Sequence, residues 1–316
     1  MASNLHCGQR GVESESPLSI RRIAVLMTSF NRCESTLRSL AALTRQQRAA
    51  DFTLQVFLVD DGSTDGTADV VQSAFPEIRV LKGDGTLFWN GGMRMAFAVA
   101  LQESFDAYVL LNDDTVLYNG AIARLVACAQ MRVEAERPVI AVGSTVSPQT
   151  GEHTYGGIMK HVHGAVIRFE KIPPHECLAI SCDAMNGNVV LIPREIANAV
   201  GNLDKRFRHQ FGDLDYALRA KRAGFQVMVA PGYFGECASN SKAGTWRDSS
   251  LSLRKRWKHL LSPKGIPVKE WFLFTSRHYG WRAMYYAFSP FVQTVVSSVL
   301  SHDGAGATRR ESRPAS

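Results

Sequence analysis

No CxxC pair occurs in this 316-residue chain, and its six cysteines, at positions 7, 33, 128, 177, 182 and 237, are scattered. A core of the size that length allows needs no disulfide staples, so reduced thiols in a cytosolic compartment are expected. The opening stretch "MASNLHCGQRGVESESPLSI" has no apolar h-region and so lacks the form of a secretory signal. Internal repeats are missing too. No clean run of the roughly 20 apolar residues that a membrane span requires is present: residues 283–300 are interrupted by Ser289, Pro290, Gln293 and Thr294. The closing "SHDGAGATRRESRPAS" is small and polar and is expected to be a disordered tail, as are residues 1–19. An excess of acid is also lacking. The net charge of +7 favours anionic partners: nucleotides, phosphorylated lipids, acidic membrane surfaces or nucleic acid.

What is present alternates. "RRIAVLMTSF" reads as a buried strand, followed by "RCESTLRSLAALTRQQ" with Leu37, Leu40 and Leu43 at helical spacing. "FTLQVFLVD", "IRVLKG" and "AYVLLN" are further strands, separated by helices over "DGTADVVQSAF" and "GGMRMAFAVALQE". Strands alternating with helices predict right-handed βαβ units and an α/β fold with a sheet covered on both faces. Ligands of such sheets bind beyond the carboxyl ends of the strands, where "TSFNR", "VDDGSTD", "WNGGMR" and "LNDDT" all fall. After a soft boundary near Gly120 the pattern changes. A strand "VIAVGSTV", a hairpin within "GGIMKHVHGAVIRFE", a strand "GNVVLIP", a helix carrying "DLDYALRAKRAG" and a strand "FQVMVAP" extend a mixed sheet.

In "VDDGSTDGTADVV" a helix cap and a tight glycine turn explain much of the composition. A calcium loop is excluded, because Gln72 stands where the bidentate Glu belongs and a strand precedes the loop. "GDGTLFWNGG" is no dinucleotide fingerprint, with Phe88 in the place of the third glycine. Gly91 and Gly92 suit either a plain helix start or backbone N–H groups approaching a phosphate, with Arg94 adding charge. Asp113 and Asp114 end an apolar strand, where buried carboxylates require compensation. Either they form an ordinary turn, or they hold Mg2+ or Mn2+ together with a diphosphate. Asp213 and Asp215 start an amphipathic helix. Residues two apart do not share a helix face, so Asp215 is expected to cap and support while Asp213 faces the cleft as a proton acceptor.

Together "LMTSFNR", "VDDGSTDGT", "LNDDT" and "FGDLDYALRAKRAG" resemble, in order, the motifs of family 2 glycosyltransferases, most nearly the rhamnosyltransferase-like bacterial members, over residues 20 to about 235. The resemblance implies a GT-A fold, with a Rossmann-like nucleotide-sugar-binding half (20–120), an acceptor-binding half (121–240) and a helical extension (241–300). It implies contacts from Thr28, Phe30, Arg32, Asp60 and Asp61 to the nucleotide, a metal on Asp113 and Asp114, and Asp213 as catalytic base. The implied donor is a dTDP- or UDP-linked sugar, and the implied acceptor a saccharide or lipid-linked saccharide. One departure stands out. Many members carry a metal-binding His just after the strand matching "FQVMVAP", where this chain has "GYFGECASN" with Cys237.

The C-terminal third mixes Lys and Arg with Trp, Tyr and Phe. Such a segment suits a packing extension or amphipathic helices on an anionic membrane; no nucleic acid is expected. The expected location is cytoplasmic, peripheral on the inner face of the plasma membrane. Two other functions remain open: a nucleotidyltransferase acting on sugar phosphates, and a non-catalytic sugar- or membrane-binding relative. The first would want a basic, glycine-rich loop where "TSFNRCES" stands.

Overall fold

The computed structural model describes residues 19–47, 51–131, 137–164, 166–241, 243–248 and 250–296. The tail at 301–316 and all but the last residue of the N-terminal segment expected to be disordered lie outside the described residues. The first half runs β1 (Arg22–Ser29), α1 (Cys33–Gln47), β2 (Thr53–Asp60), α2 (Thr67–Ala74), β3 (Arg79–Lys82), α3 (Phe88–Ala100), β4 (Ala107–Leu111), β5 (Val116–Leu117) and α4 (Ala121–Ala129). The second half begins with β6 (Val139–Val146), β7 (Gly157–His163), β8 (Val166–Lys171), β9 (Ile180–Cys182), β10 (Ala184–Met185) and β11 (Val189–Pro193). It continues with α5 (Arg194–Val200), α6 (Gly212–Arg222), β12 (Gln226–Glu236), α7 (Leu253–Leu260), α8 (Val268–His278) and α9 (Ala283–Tyr286).

The large sheet has the order β3-β2-β1-β4-β11-β6-β12-β5, with β9 also paired to β12. β1 to β4 are parallel, whereas β11 runs antiparallel between β4 and β6. The expected mixed sheet is therefore present. Its strands are apolar on both faces because both faces are covered. Leu26, Val59, Tyr108, Leu110 and Val190 pack towards α3 and α6. Their alternates Val25, Leu58, Val109 and Leu191 pack towards α1 and α4. β7 and β8 form the expected hairpin, in a small second sheet with β10. A third core of Phe207, Trp271, Phe274 and Tyr279 fastens α8 beside the lead-in to α6. Among the described residues, no helix is long and apolar enough to cross a membrane.

Strand register places the site. Val189 lies opposite Leu111, so the turn before β11 meets the turn after β4, and the Asn112 N–H donates to the Asn188 carbonyl at 3.1 Å. Glu236 lies opposite Val116, which sets Cys237 beside Asp114.

Candidate active site

The ends of β1, β2 and β4, the turn before β11 and the start of α6 surround a cavity of about 330 Å3, at the small end of the range for ligand pockets. Of the sequence-predicted residues, Thr28, Phe30, Arg32 and Asp61 line it from the first two strands, and Asp113, Asp114 and Asp213 from the other side.

Asp113 is buried and Asp114 partly exposed, and Arg32 compensates both. Its guanidinium approaches Asp114 at 2.6 Å and Asp113 at 3.3 Å. Burial pushes the Asp113 carboxyl up to about 6, with Arg32 opposing the rise and Asp114 adding to it. Arg32 is held in reach by the two loops after β1 and β2. The Thr64 N–H donates to Asn31 Oδ1 at 2.7 Å, and the Cys33 N–H to Asp65 Oδ2 at 3.0 Å.

Asp213 stands at the start of α6 in a fixed pose. The Gly187 N–H donates to Oδ2 and the Leu214 N–H to Oδ1, each at 2.9 Å. Burial pushes its carboxyl up to about 6 against those two bonds. Gly187 is needed as glycine, since a Cβ there would collide with the Trp89 ring. Among the described residues, Asn31, Phe88 and Phe211 are the non-glycine residues with positive φ, at 52°, 55° and 70°. Two of them line the cavity and the third adjoins Arg32, which is where stored backbone strain is commonly found.

Other expectations need correction. α3 starts at Phe88 rather than at the glycines, and the Gly91 N–H already donates to the Leu87 carbonyl at 3.1 Å. Gly91, Gly92 and Arg94 therefore do not line the cavity. Gly92 instead lets α3 lie against β1, where a Cβ would collide with Thr28. Asp60 does not line the cavity, and its Oδ1 accepts the Ser63 N–H at 3.2 Å. Asp61 reaches the cavity with its oxygens engaged, Oδ1 by the Gly85 N–H and Oδ2 by the Phe88 N–H, both at 2.9 Å. It caps α3 from another strand end. Asp215 makes no cap. It is fully buried and meets Arg277 at 2.6 Å, Arg219 at 2.8 Å and His278 at 2.9 Å.

Several wall residues escaped the sequence reading: Trp89, Tyr155, Asn188, His209 and Lys264. Trp89 Nε1 donates to Asn112 Oδ1 at 2.7 Å, locking the turn that carries the two aspartates. Burial, with Lys264 and Arg32 nearby, lowers His209 to about 4, so its ring is neutral near pH 7. For Trp89 and His209 the signal was their place inside "FWNGG" and "FRHQFGD", next to residues already singled out.

Whether this donor set suits a divalent cation is decided by its chemistry. No group of three His, Cys, Asp or Glu side chains among the described residues could hold a metal. Cys237 Sγ donates to Asp114 Oδ1 at 3.3 Å, and burial with Asp114 beside it pushes the thiol up to about 12. It is a protonated donor and no ligand for a hard ion. Asp114 and Asp113 alone fit magnesium or manganese in the manner of sites whose shell is completed by substrate phosphates and water. A thiol reagent at pH 8 tests the environment. It should label exposed Cys177 in the native protein, and Cys128, Cys182 and Cys237 only after unfolding. Rapid native labelling of Cys237 would contradict its burial beside Asp114.

The profile of the family described as "Glycosyltransferase like family 2" matches residues 21–259. An uncharacterized protein of Mycobacterium tuberculosis is 27% identical over 177 residues, 54% of this chain and 62% of that relative. The chain thus spans less than two thirds of that relative's length. The N-acetylglucosaminyl-diphospho-decaprenol L-rhamnosyltransferase of the same organism is 23% identical over 281 residues, 82% of this chain and 85% of the relative. Among solved structures, mannosyltransferase PcManGT from Pyrobaculum calidifontis, in complex with GDP-Man and Mn2+, superposes with a TM-score of 0.53. It is 14% identical, over 92% of this chain and 76% of that one. GalNAc-T7 with UDP, GalNAc and Mn2+ gives a TM-score of 0.51 at 13% identity, over 67% of this chain and 42% of that one. These likenesses establish the GT-A fold. With three quarters of its length matched by the profile, the chain belongs to the glycosyltransferase-like family 2.

Proposed function

We propose that this chain transfers a sugar from a dTDP- or UDP-linked donor to a hydroxyl of a saccharide or lipid-linked saccharide, inverting the anomeric carbon, in assembly of a cell-surface polysaccharide or glycolipid. One observation carries the reading: carboxylates from the end of β4 and from the start of α6 line one cavity beyond the strand ends. The rhamnosyltransferase relative, whose name includes a lipid-linked diphospho-sugar, supports the acceptor class. The solved neighbours, which hold nucleotides or nucleotide sugars with Mn2+, support the donor class and a divalent metal.

In this mechanism Asp213 takes the proton of the acceptor hydroxyl. The oxygen attacks the anomeric carbon as the bond to the diphosphate breaks, and the nucleoside diphosphate leaves with the bonding electrons. The Gly187 and Leu214 N–H groups that donate to Asp213 hold its carboxylate in one orientation, which spares reorganisation during proton transfer. Asp114 and Asp113 would hold Mg2+ or Mn2+, which supplies charge compensation for the departing diphosphate. Arg32, which lines the cavity beside the two aspartates, supplies a second positive charge on the same side.

A thermal-shift screen of nucleotide sugars, with and without Mn2+ or Mg2+, tests the reading. Binding at a hundredfold excess over Kd contributes about 2.7 kcal/mol and raises the melting temperature. The expected result is a rise with a dTDP- or UDP-sugar that grows when metal is added; no rise with any nucleotide sugar would contradict it. Asp114→Ala should abolish the metal-dependent increment in calorimetry with the nucleoside diphosphate. Undiminished metal dependence would remove Asp114 from that role.

A further inference from the structure

The last helices leave an apolar face uncovered. Trp281, Met284, Tyr285, Phe288, Val292 and Val295 recur at helical spacing, yet all are exposed, Met284 by 78% and Phe288 by 62%. The other side of the same segment is what packs: Ala287 and Thr294 are buried, and Tyr286 and Phe291 join the third core. Neighbouring helices extend the exposed face. α7 adds Leu253 and Trp257 one turn apart, and α8 adds Val268 and Phe272, the latter 6.0 Å from the Phe288 ring. Apolar exposure continued over three elements marks an interaction surface rather than scattered surface residues.

The charges around it choose the partner. Residues 250–296 contain eight Lys and Arg and a single acid, Glu270. That acid is buried and paired with Arg208 at 3.2 Å, so it does not temper the rim. Arg254, Lys255, Lys258 and Lys269 are exposed beside the apolar stripe. A second copy docked through this face would bring one basic rim against another, which like-charge repulsion disfavours. Aromatic and aliphatic side chains edged with Lys and Arg match the boundary of an anionic bilayer, where apolar groups enter the acyl region and cations meet lipid phosphates.

We infer that the face formed by α7, α8 and residues 281–296 docks the protein peripherally on an anionic membrane. Lys264, between α7 and α8, also lines the cavity, so docking through these helices sets the cavity next to the bilayer. Delivery of a lipid-linked acceptor by that route rests on the transferase reading, whereas the docking itself does not.

The test is co-sedimentation of the full chain with vesicles of phosphatidylglycerol and phosphatidylcholine, against phosphatidylcholine alone. Binding should favour the anionic vesicles and weaken as salt rises. Arg254→Glu with Lys258→Glu should lower it at least about tenfold, since each basic residue near the surface contributes on the order of 1 kcal/mol. Trp281→Glu with Phe288→Glu should abolish it. Circular dichroism and the nucleotide-sugar thermal shift should be unchanged in both variants, which separates failure of docking from failure of the transferase reading. Equal binding to both vesicle types, or none, would overturn the inference. So would lipid-free dimerisation in sedimentation velocity that Phe288→Glu dissolves, since the face would then belong to a second copy.

Discussion

Asp213→Asn is expected to bind donor like the wild type and to transfer sugar about 10²–10⁴-fold more slowly, the usual contribution of a general base. The exchange keeps the shape of the side chain but replaces one of two oxygens that accept backbone N–H groups, from Gly187 and Leu214. Wild-type transfer should rise with pH through about 6, where burial sets the Asp213 carboxyl, because only its ionised form accepts the proton. The variant should lack that limb. The linkage sign is opposite for stability. A carboxyl raised from 3.8 to about 6 holds its proton more tightly when folded, so its ionisation costs stability as pH climbs between those values. Melting curves at pH 4.5 and 7 should show that part of the decline removed in the variant. Near wild-type transfer by Asp213→Asn would mean that another group is the base.

Two residues further on, the same exchange should act on the fold. Asp215 is fully buried, with Arg277 and His278 on Oδ1 and Arg219 on Oδ2. Asp215→Asn leaves these groups facing a neutral amide. Breaking a buried ion pair on one side costs about 3–5 kcal/mol, which lowers the melting temperature by roughly 10 °C in a domain of this size. Burial alone would raise the Asp215 carboxyl, but hydrogen bonds from His278, Arg219 and Arg277 hold it below 3.8. Its contribution is therefore complete above that value and fades as pH falls through the lower folded one. The gap between wild type and variant should be full at pH 7 and should narrow below about pH 4. Scanning calorimetry across that range checks it. Equal melting temperatures at pH 7 would show that the cluster contributes nothing.

The strands were legible because burial on both faces leaves apolar runs such as "IAVLM" and "YVLLN" with polar residues at their carboxyl ends. Those ends located the cavity, and helix geometry separated Asp213, which lines it, from Asp215, which does not. What stayed hidden depends on contacts distant in sequence. The start of α3 is set by Asp61 from another strand and by a positive φ at Phe88, so a glycine pair looked like the helix start. Asp215 read as a cap because its partners Arg277 and His278 lie more than 60 residues on. The charge opposite Asp113 and Asp114 comes from Arg32, 81 and 82 residues earlier, and local pattern carries no record of that pairing. In the C-terminal helices both sides are apolar, so sequence alone did not show which side packs and which is exposed.

The most direct measurement is product analysis after incubation with a dTDP- or UDP-sugar, metal and a lipid-linked saccharide acceptor, run in parallel on wild type and Asp213→Asn. The account predicts nucleoside diphosphate released in step with a glycosylated acceptor of inverted anomeric configuration, by the wild type and at least about a hundredfold less by the variant. Release of pyrophosphate, a product with retained configuration, or equal rates from the two proteins would contradict it.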